Sequence, residues 1–591
     1  MITNDLTIKI GGEAGMGVES GGAGLVKALA RGGLYVFGFQ DYMSRVRGGH
    51  NFFQIRAAAR EVFTFNEDVH LLLAFTEDCI DRHKHEVVRG GAILYDEALG
   101  CDSRSLEALG IKACPVPFSK IASEAGGAPV MANTCAIGAA AGITDYDFER
   151  IRDVIQENFG KKGEEMAAKN LAAAKAGYDY AKAHFAQGFE YKLRAVPLAK
   201  NDRRMLLNGN QALGLGAMAG GCKFIAAYPM TPATTIFEFI TAKASQYGIV
   251  SKQTEDEIAA ILFAIGASHA GARAMTCTSG GGFSLMVEAL GLAAMTETPV
   301  VIAEVQRTGP STGFPTRTEQ PDLDFVIHAS HGESPRIVIA PATIEDCFEA
   351  GWRAFNLAEK YQCPVIILSD LYLSSQIRSI DSAGLDFSKV RVDRGELLTE
   401  EALEGLSDYK RYLLTDSGIS PRALPGHPNA VYVATSDEHS EQGYAIEEAE
   451  PRRKMMEKRM HKLELASKED MREPECYGDA DAELTLLCWG SVYGAVREVV
   501  DRLVKKGMKA NLLKFTDLWP FPAEKVRPYL ERAKHLVAVE NNYTGQLANL
   551  IRRQTGIQVD GRILKYDGRP FSPEEIIANL KEEMKLHVKT G

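Results

Sequence analysis

Short β-branched runs alternate along this chain with longer alanine- and glycine-rich stretches of helical spacing, the pattern of strands crossed by helices in α/β folds. Residues 5–10 (DLTIKI) alternate and open into GGEAGMGVESGGAGLVKALARGG, which predicts strand, glycine-rich turn and helix, the start of a βαβ unit. Further strands are expected at 52–57 (FFQIRA), 71–75 (LLLAF) and 92–96 (AILYD), and alanine-rich helices over 146–187 close the first region near residue 190. A charged connector, KLRAVPLAKNDRR, leads on. The second region starts at Met205 with a strand and small-residue helix, followed by the strand KFIAAYP, a helix from Pro232, the strand ARAMTCT, a helix from Phe283 and the run TPVVIAEVQ. That alternation implies a parallel sheet whose carboxyl edge carries the ligand site. From Gln376 to about Asp481 long charged stretches, among them EEAEPRRKMMEKRMHKLELASKEDMREPE, predict solvated helices and a connector. Two further strand, glycine, helix units form a C-terminal α/β domain. The expected boundaries are 1–190, 200–375, 376–480 and 481–591.

The length of 591 residues is too great for one core. With 45% hydrophobic and 25% charged residues the chain is a folded multidomain protein, and its net charge of −11 offers no basic stripe for nucleic acid. The opening MITNDLTIKIGGEAG lacks the basic start and apolar run of a signal peptide, and no apolar run reaches the ~18 residues of a membrane span. A cytoplasmic location is expected. The ten cysteines include no CxxC pair and no ligand run for zinc or an iron–sulfur cluster, so any metal centre is expected on another chain.

Four motifs carry candidate chemistry. In AAYPMTPATT (226–235) two prolines flank Met230 and Thr231, fixing the turn after a strand; Thr231 caps the next helix or meets a ligand, and a helix N-terminus suits an anion in either case. In QTEDEIAA (253–260) Glu255, Asp256 and Glu257 compete for the role of a carboxylate entering an apolar helix, which spacing alone does not settle. The turn 279–282 in TCTSGGGFS allows backbone conformations closed to other residues. Arg307, at the end of an apolar strand, presents a planar fork that matches a carboxylate, and the polar sequel TGPSTGFPTRTEQPDL reads as a functional loop. The first glycine cluster, GGEAGMGV, only partly matches a dinucleotide fingerprint and is read as tight strand-to-helix packing.

Together these motifs resemble the 2-oxoacid:ferredoxin oxidoreductases, in the form whose alpha subunit carries a fused gamma domain. YPMTPAT is similar to that family's YPITPST, TSGGG to its TSGPG, QRTGPSTGFPT to its substrate loop and SRVRGGHNFFQIR to its gamma region. GSVYGAVREVV, LWPFP and VENNYTGQL resemble its C-terminal domain; TEDEIAA, TRTEQPDL and DEHSEQG resemble the 2-oxoglutarate branch. Met230, Ala233 and Gly281 depart from the family's isoleucine, serine and proline. The resemblance implies several doubly wound α/β domains: a gamma domain (1–190), a thiamine-diphosphate pyrimidine-binding-like domain (200–375), the connector, and a transketolase C-terminal-like domain (481–591).

It also implies an enzyme whose bound thiamine diphosphate is engaged by Glu257, with Pro229, Ser279 and Gly280 around the cofactor. Tyr228, Thr231, Arg307, Thr312 and Arg317 are implied for substrate, with Glu257, Thr231 and Arg307 catalytic. Coenzyme A is implied as co-substrate. This sequence has no GDG with a downstream asparagine and no cysteine set, so magnesium, the diphosphate end and a [4Fe-4S] cluster are expected on a beta subunit, in an (alpha-beta)2 heterotetramer that reduces ferredoxin. The reaction implied is 2-oxoglutarate, coenzyme A and oxidised ferredoxin to succinyl-coenzyme A, carbon dioxide and reduced ferredoxin, in either direction. Alternatives are a pyruvate or branched-oxoacid enzyme of the same family, an NAD-dependent dehydrogenase, and a non-catalytic scaffold.

Overall fold

The computed structural model describes residues 2–43, 48–198 and 203–589. Residues 44–47 of the SRVRGGHNFFQIR motif and 199–202 of the connector lie outside the described residues. The chain divides into two compact units, Met1–Leu207 with Ser375–Gly384 and Ser572–Glu574, and Asn208–Ser374 with Leu385–Phe571 and Glu575–Gly591. No helix among the described residues is long and apolar enough to cross a membrane.

The first unit is built on an eight-stranded mixed sheet. Its opening strand, Asp5–Glu13, is followed by the predicted turn and helix Val18–Arg31. The strand pairs in parallel with Val69–Ala74 but antiparallel with His50–Ala58, so the glycine turn does not open a simple βαβ crossover. The strands Arg204–Leu207 and Ile377–Asp381 pair antiparallel in this same sheet, the latter against Tyr35–Asp41. Its core packs Leu25, Ile55, Leu71 and Leu94 against the alanine-rich helices Ala132–Ile143 and Glu164–Phe185. Those two helices touch backbone to backbone, since a Cβ on Gly138 would land on the Ala174 carbonyl. Alanine and glycine in this segment therefore encode close packing.

The second unit carries two sheets. The larger runs, in spatial order, Val250–Gln253, Phe224–Ala227, Ala274–Thr278, Val300–Gln306, Pro364–Asp370, Ile337–Ile339 and Asp517–Trp519, with only the last antiparallel. The chain leaves Phe224–Ala227 first to one side and then to the other, which makes the gap between Phe224–Ala227 and Ala274–Thr278 the switch point where open α/β sheets bind ligands. The smaller sheet orders Glu475–Gly478, Ala510–Phe515, Leu484–Trp489, Leu536–Glu540 and Gly561–Leu564, parallel except for its first strand. One core joins them: Ile302 and Ile366 of the large sheet pack in a cluster with Trp489, Phe515 and Leu547. Capping boxes fix two helix starts, Asn208 with Gln211 and Thr343 with Asp346.

The charged segment expected to be solvated is a helix, Ala449–Glu469, but it is solvated on one side only. Its other side buries Lys458 and Lys462, whose ammonium groups both donate to the fully buried Glu297 carboxylate. The flanking lysines hold Glu297 far below the usual carboxylate range despite its burial. Charge at helical spacing does not distinguish a wet face from one that closes over a buried counter-ion.

Candidate functional site

Both loops at the switch point are anchored from the sheet. After Phe224–Ala227 the chain turns through Tyr228, Pro229, Met230 and Thr231 into the helix Thr234–Thr241. The buried Asn210 amide holds this turn, donating to the Pro232 carbonyl at 2.8 Å and to Thr235 Oγ1 at 2.7 Å. Helix onset at Thr234 leaves Thr231 outside, so it does not cap. Its carbonyl instead accepts a 2.8 Å hydrogen bond from Arg307 Nη1. Arg307, one residue beyond the strand Val300–Gln306, is half-buried, and burial lowers its proton affinity.

Across the gap the three acidic candidates separate. Glu255 is exposed, and Asp256 caps the helix Glu257–His269 by accepting from the Ala259 amide at 2.7 Å. Glu257 is only 3% exposed, and its Oε1 has no hydrogen-bond partner among the described residues. Burial, with Asp256 beside it, pushes its carboxyl above the usual range. The next helix, Gly280–Met295, approaches Glu257 so closely that a Cβ on Gly282 would lie 2.5 Å from Glu257 Oε1 and closer still to Thr278 Oγ1. The third glycine of TSGGG is thus a steric requirement for the buried carboxyl.

Between these elements lies a cleft of about 560 Å³ lined by Met230, Gly280, Arg307, Thr312, Asp322 and Phe325 among others. One wall is the loop after Arg307, closed by Thr308 N donating to the Arg317 carbonyl at 3.0 Å and Phe314 N to the Thr308 carbonyl at 3.1 Å. Its far end is pinned by Gln320: the backbone amide donates to the Asn541 carbonyl at 2.7 Å and the side-chain amide to the Trp489 carbonyl at 3.0 Å. Asn541 N returns a bond to Gln320 Oε1 at 3.2 Å.

The sequence candidates distribute unevenly over this geometry. Arg307, Thr312 and Gly280 line the cleft, Thr231 is bound to Arg307, and Glu257 lies behind Gly282. Tyr228, 40% exposed, and Pro229 lie on the surface outside the lining. Ser279 is fully buried with an unpartnered hydroxyl. Arg317 packs against Gly568 and is not part of the cleft wall. Sequence reasoning passed over Thr278, Glu304 and Asp322, and it read Gly282 for backbone freedom and not for the room it leaves Glu257; the signal for Glu304 was a lone carboxylate inside a largely apolar strand.

Three stretches match family models: residues 7–180 the pyruvate ferredoxin/flavodoxin oxidoreductase model, 215–458 the pyruvate flavodoxin/ferredoxin oxidoreductase thiamine diphosphate-binding model, and 482–576 the pyruvate:ferredoxin oxidoreductase core domain II model. Fold and site thus define an oxidoreductase subunit with a thiamine diphosphate-binding domain. A 2-oxoacid:ferredoxin oxidoreductase subunit alpha from a Sulfolobus species is 33% identical over 96% of this chain and 95% of its own length. The chain belongs to the 2-oxoacid:ferredoxin oxidoreductase family. A subunit named 2-oxoglutarate synthase subunit KorA from Methanothermobacter thermautotrophicus is 35% identical over 63% of this chain and 96% of its own. A solved 2-oxoglutarate:ferredoxin oxidoreductase from Magnetococcus marinus, with 2-oxoglutarate, coenzyme A and succinyl-CoA bound, superposes with a TM-score of 0.91 at 35% identity, over 98% of this chain and 99% of that one.

Proposed function

We propose that this chain is the alpha-type subunit of a 2-oxoglutarate:ferredoxin oxidoreductase, interconverting 2-oxoglutarate and coenzyme A with succinyl-coenzyme A and carbon dioxide at the expense of ferredoxin. The observation that carries the reading is the Glu257 carboxyl, buried, unpartnered at Oε1 and facing the notch left by Gly282 beside an arginine-bearing cleft. An orphaned buried carboxyl oxygen is what the aminopyrimidine ring of thiamine diphosphate needs as a partner, so the residues present fit that cofactor. The chemistry supplied by bound thiamine diphosphate is a nucleophilic carbon for the 2-oxo group and an electron sink for decarboxylation. Glu257, with its raised proton affinity, holds and releases the proton at Oε1 that this activation requires. Arg307, locked to the Thr231 carbonyl, orients the substrate carboxylate. Gly280 and Ser279 stand at the start of the helix beside the cofactor, and the loop through Thr312 forms one wall of the cleft.

The partner in this reading is a beta subunit that brings magnesium, the diphosphate site and a [4Fe-4S] cluster, in an (alpha-beta)2 assembly in the cytoplasm. Support comes from the helix that starts at Glu257, which exposes Ile258, Leu262 and Phe263 at 42–46%, and from Leu285 on the next helix at 50%. An apolar face beside a half-built site suits closure by a second chain. Pyruvate is the second reading, favoured by the descriptions of the matching family models. Copurification with a shorter subunit bearing GDG and clustered cysteines, followed by parallel assays with pyruvate and 2-oxoglutarate, tests both. A clear pyruvate preference overturns the substrate assignment, and a fully active lone chain overturns the partner.

A further inference from the structure

We propose that Asp322 sets the charge of the cleft, standing as a neutral acid while an anionic 2-oxoacid is bound and excluding that anion once ionised. The inference rests on the 2-oxoacid reading above and deepens it. Asp322 lines the cleft together with Arg307, and its Oδ2 lies 2.6 Å from the point where a Cβ on Gly280 would sit. Behind it, on the strand Val300–Gln306, Glu304 is fully buried and neither of its carboxyl oxygens has a hydrogen-bond partner. Glu304 stands in register between Thr278 and Leu368, so its own row offers one hydroxyl and no cation. Glu319 approaches Asp322 from the loop and is itself buried. Asp370 faces Glu304 from the strand Pro364–Asp370, but the Leu373 and Ser491 amides satisfy it at 2.9 and 3.0 Å. Arg307 is the one cation among the residues lining the cleft.

Asp322, with Glu304, Glu319 and Asp370 clustered near it, would repel an anion in the cleft if all were ionised. The environment prevents that. Burial, then the two neighbouring aspartates, lifts Glu304 well above the carboxylate range. Burial, then Glu319, raises Asp322 to about 7. Of the two, only Asp322 borders the space a substrate would occupy.

The test uses the copurified complex, with KM and kcat for 2-oxoglutarate measured from pH 6 to 8.5 and an infrared titration of protonated carboxyls on the same samples. In the wild type, KM is expected to rise about tenfold through neutrality, the effect of one like charge near a partly solvated anion, in step with loss of a protonated-carboxyl band. In Asp322→Asn that band is absent and KM is independent of pH. In Glu304→Gln, where an amide replaces the buried carboxyl, the midpoint stays at the wild-type value. A pH-independent wild-type KM, a KM in Asp322→Asn that rises in parallel with wild type, or a midpoint lowered by a full unit in Glu304→Gln overturns the proposal. A complex that turns over no 2-oxoacid removes the functional reading and this inference with it.

Discussion

Replacing Gly282 by alanine tests the site through one methyl group. The added Cβ would lie 2.5 Å from Glu257 Oε1, roughly 1 Å inside van der Waals contact. The same Cβ would lie closer still to Oγ1 of the buried Thr278, so the Thr278 hydroxyl and the Glu257 carboxyl must both be pushed away from the notch. Helix propensity favours alanine by about 1 kcal/mol, and overpacking costs about 1–3 kcal/mol. The net change in stability is therefore small, at most about 2 kcal/mol. Under the proposed role of Glu257, displacing its carboxyl by roughly 1 Å is expected to lower kcat about a hundredfold. The assay is 2-oxoglutarate-dependent reduction of a viologen dye by the copurified complex, alongside a thermal melt and the content of bound thiamine diphosphate. Gly24→Ala, in the helix Val18–Arg31 where the nearest neighbour is a Val154 methyl at 3.9 Å, is the control for the substitution itself. Full turnover in Gly282→Ala with wild-type cofactor content would refute the assignment of Glu257.

Glu257→Gln should reduce kcat by about 10² to 10⁴ with an unchanged or raised Tm, while exposed Glu255→Gln stays within twofold; equal effects in the two would contradict the geometry. Arg307→Ala loses a charge-assisted bond to the Thr231 carbonyl, worth about 1.5–3 kcal/mol, and should raise KM for the 2-oxoacid by about ten- to a hundredfold in steady-state kinetics. Lys462→Met leaves Glu297 with one buried lysine and should cost about 3–5 kcal/mol in urea unfolding. Because the folded-state proton affinity of Glu297 is depressed, its contribution is complete above the unfolded carboxylate range and is lost as pH falls through that range toward the folded value. Acid unfolding of wild type should therefore be steeper than that of Glu297→Gln.

The alternation of strands and helices made the α/β class legible, and the loops at the switch point could be placed because Pro229, Pro232 and the glycines of TSGGG interrupt that alternation at strand ends. Long-range pairing was not legible. Nothing local in 377–381 says that this strand returns to the sheet of the first unit, since its pairing with Tyr35–Asp41 depends on a partner more than three hundred residues away. Charge misled in the helix Ala449–Glu469, because the lysine stems that bury Lys458 and Lys462 look the same in sequence as solvated ones. Among Glu255, Asp256 and Glu257, the choice needed coordinates: consecutive helix-start residues point in different directions, and only packing reveals which one is enclosed. Glu304 and Asp322 stayed hidden for a related reason, since their roles come from each other and from Glu319.

The tie between Gln320 and Asn541 also bears on how this chain can be recombined. A chimera that takes its C-terminal sheet from a relative must reproduce the backbone positions of Trp489 and Asn541 that hold Gln320, or the cleft wall takes a new resting position. Exchange of that sheet is therefore not modular at this joint: the segments around Gln320, Trp489 and Asn541 travel together, or the hybrid folds with the loop after Arg307 displaced.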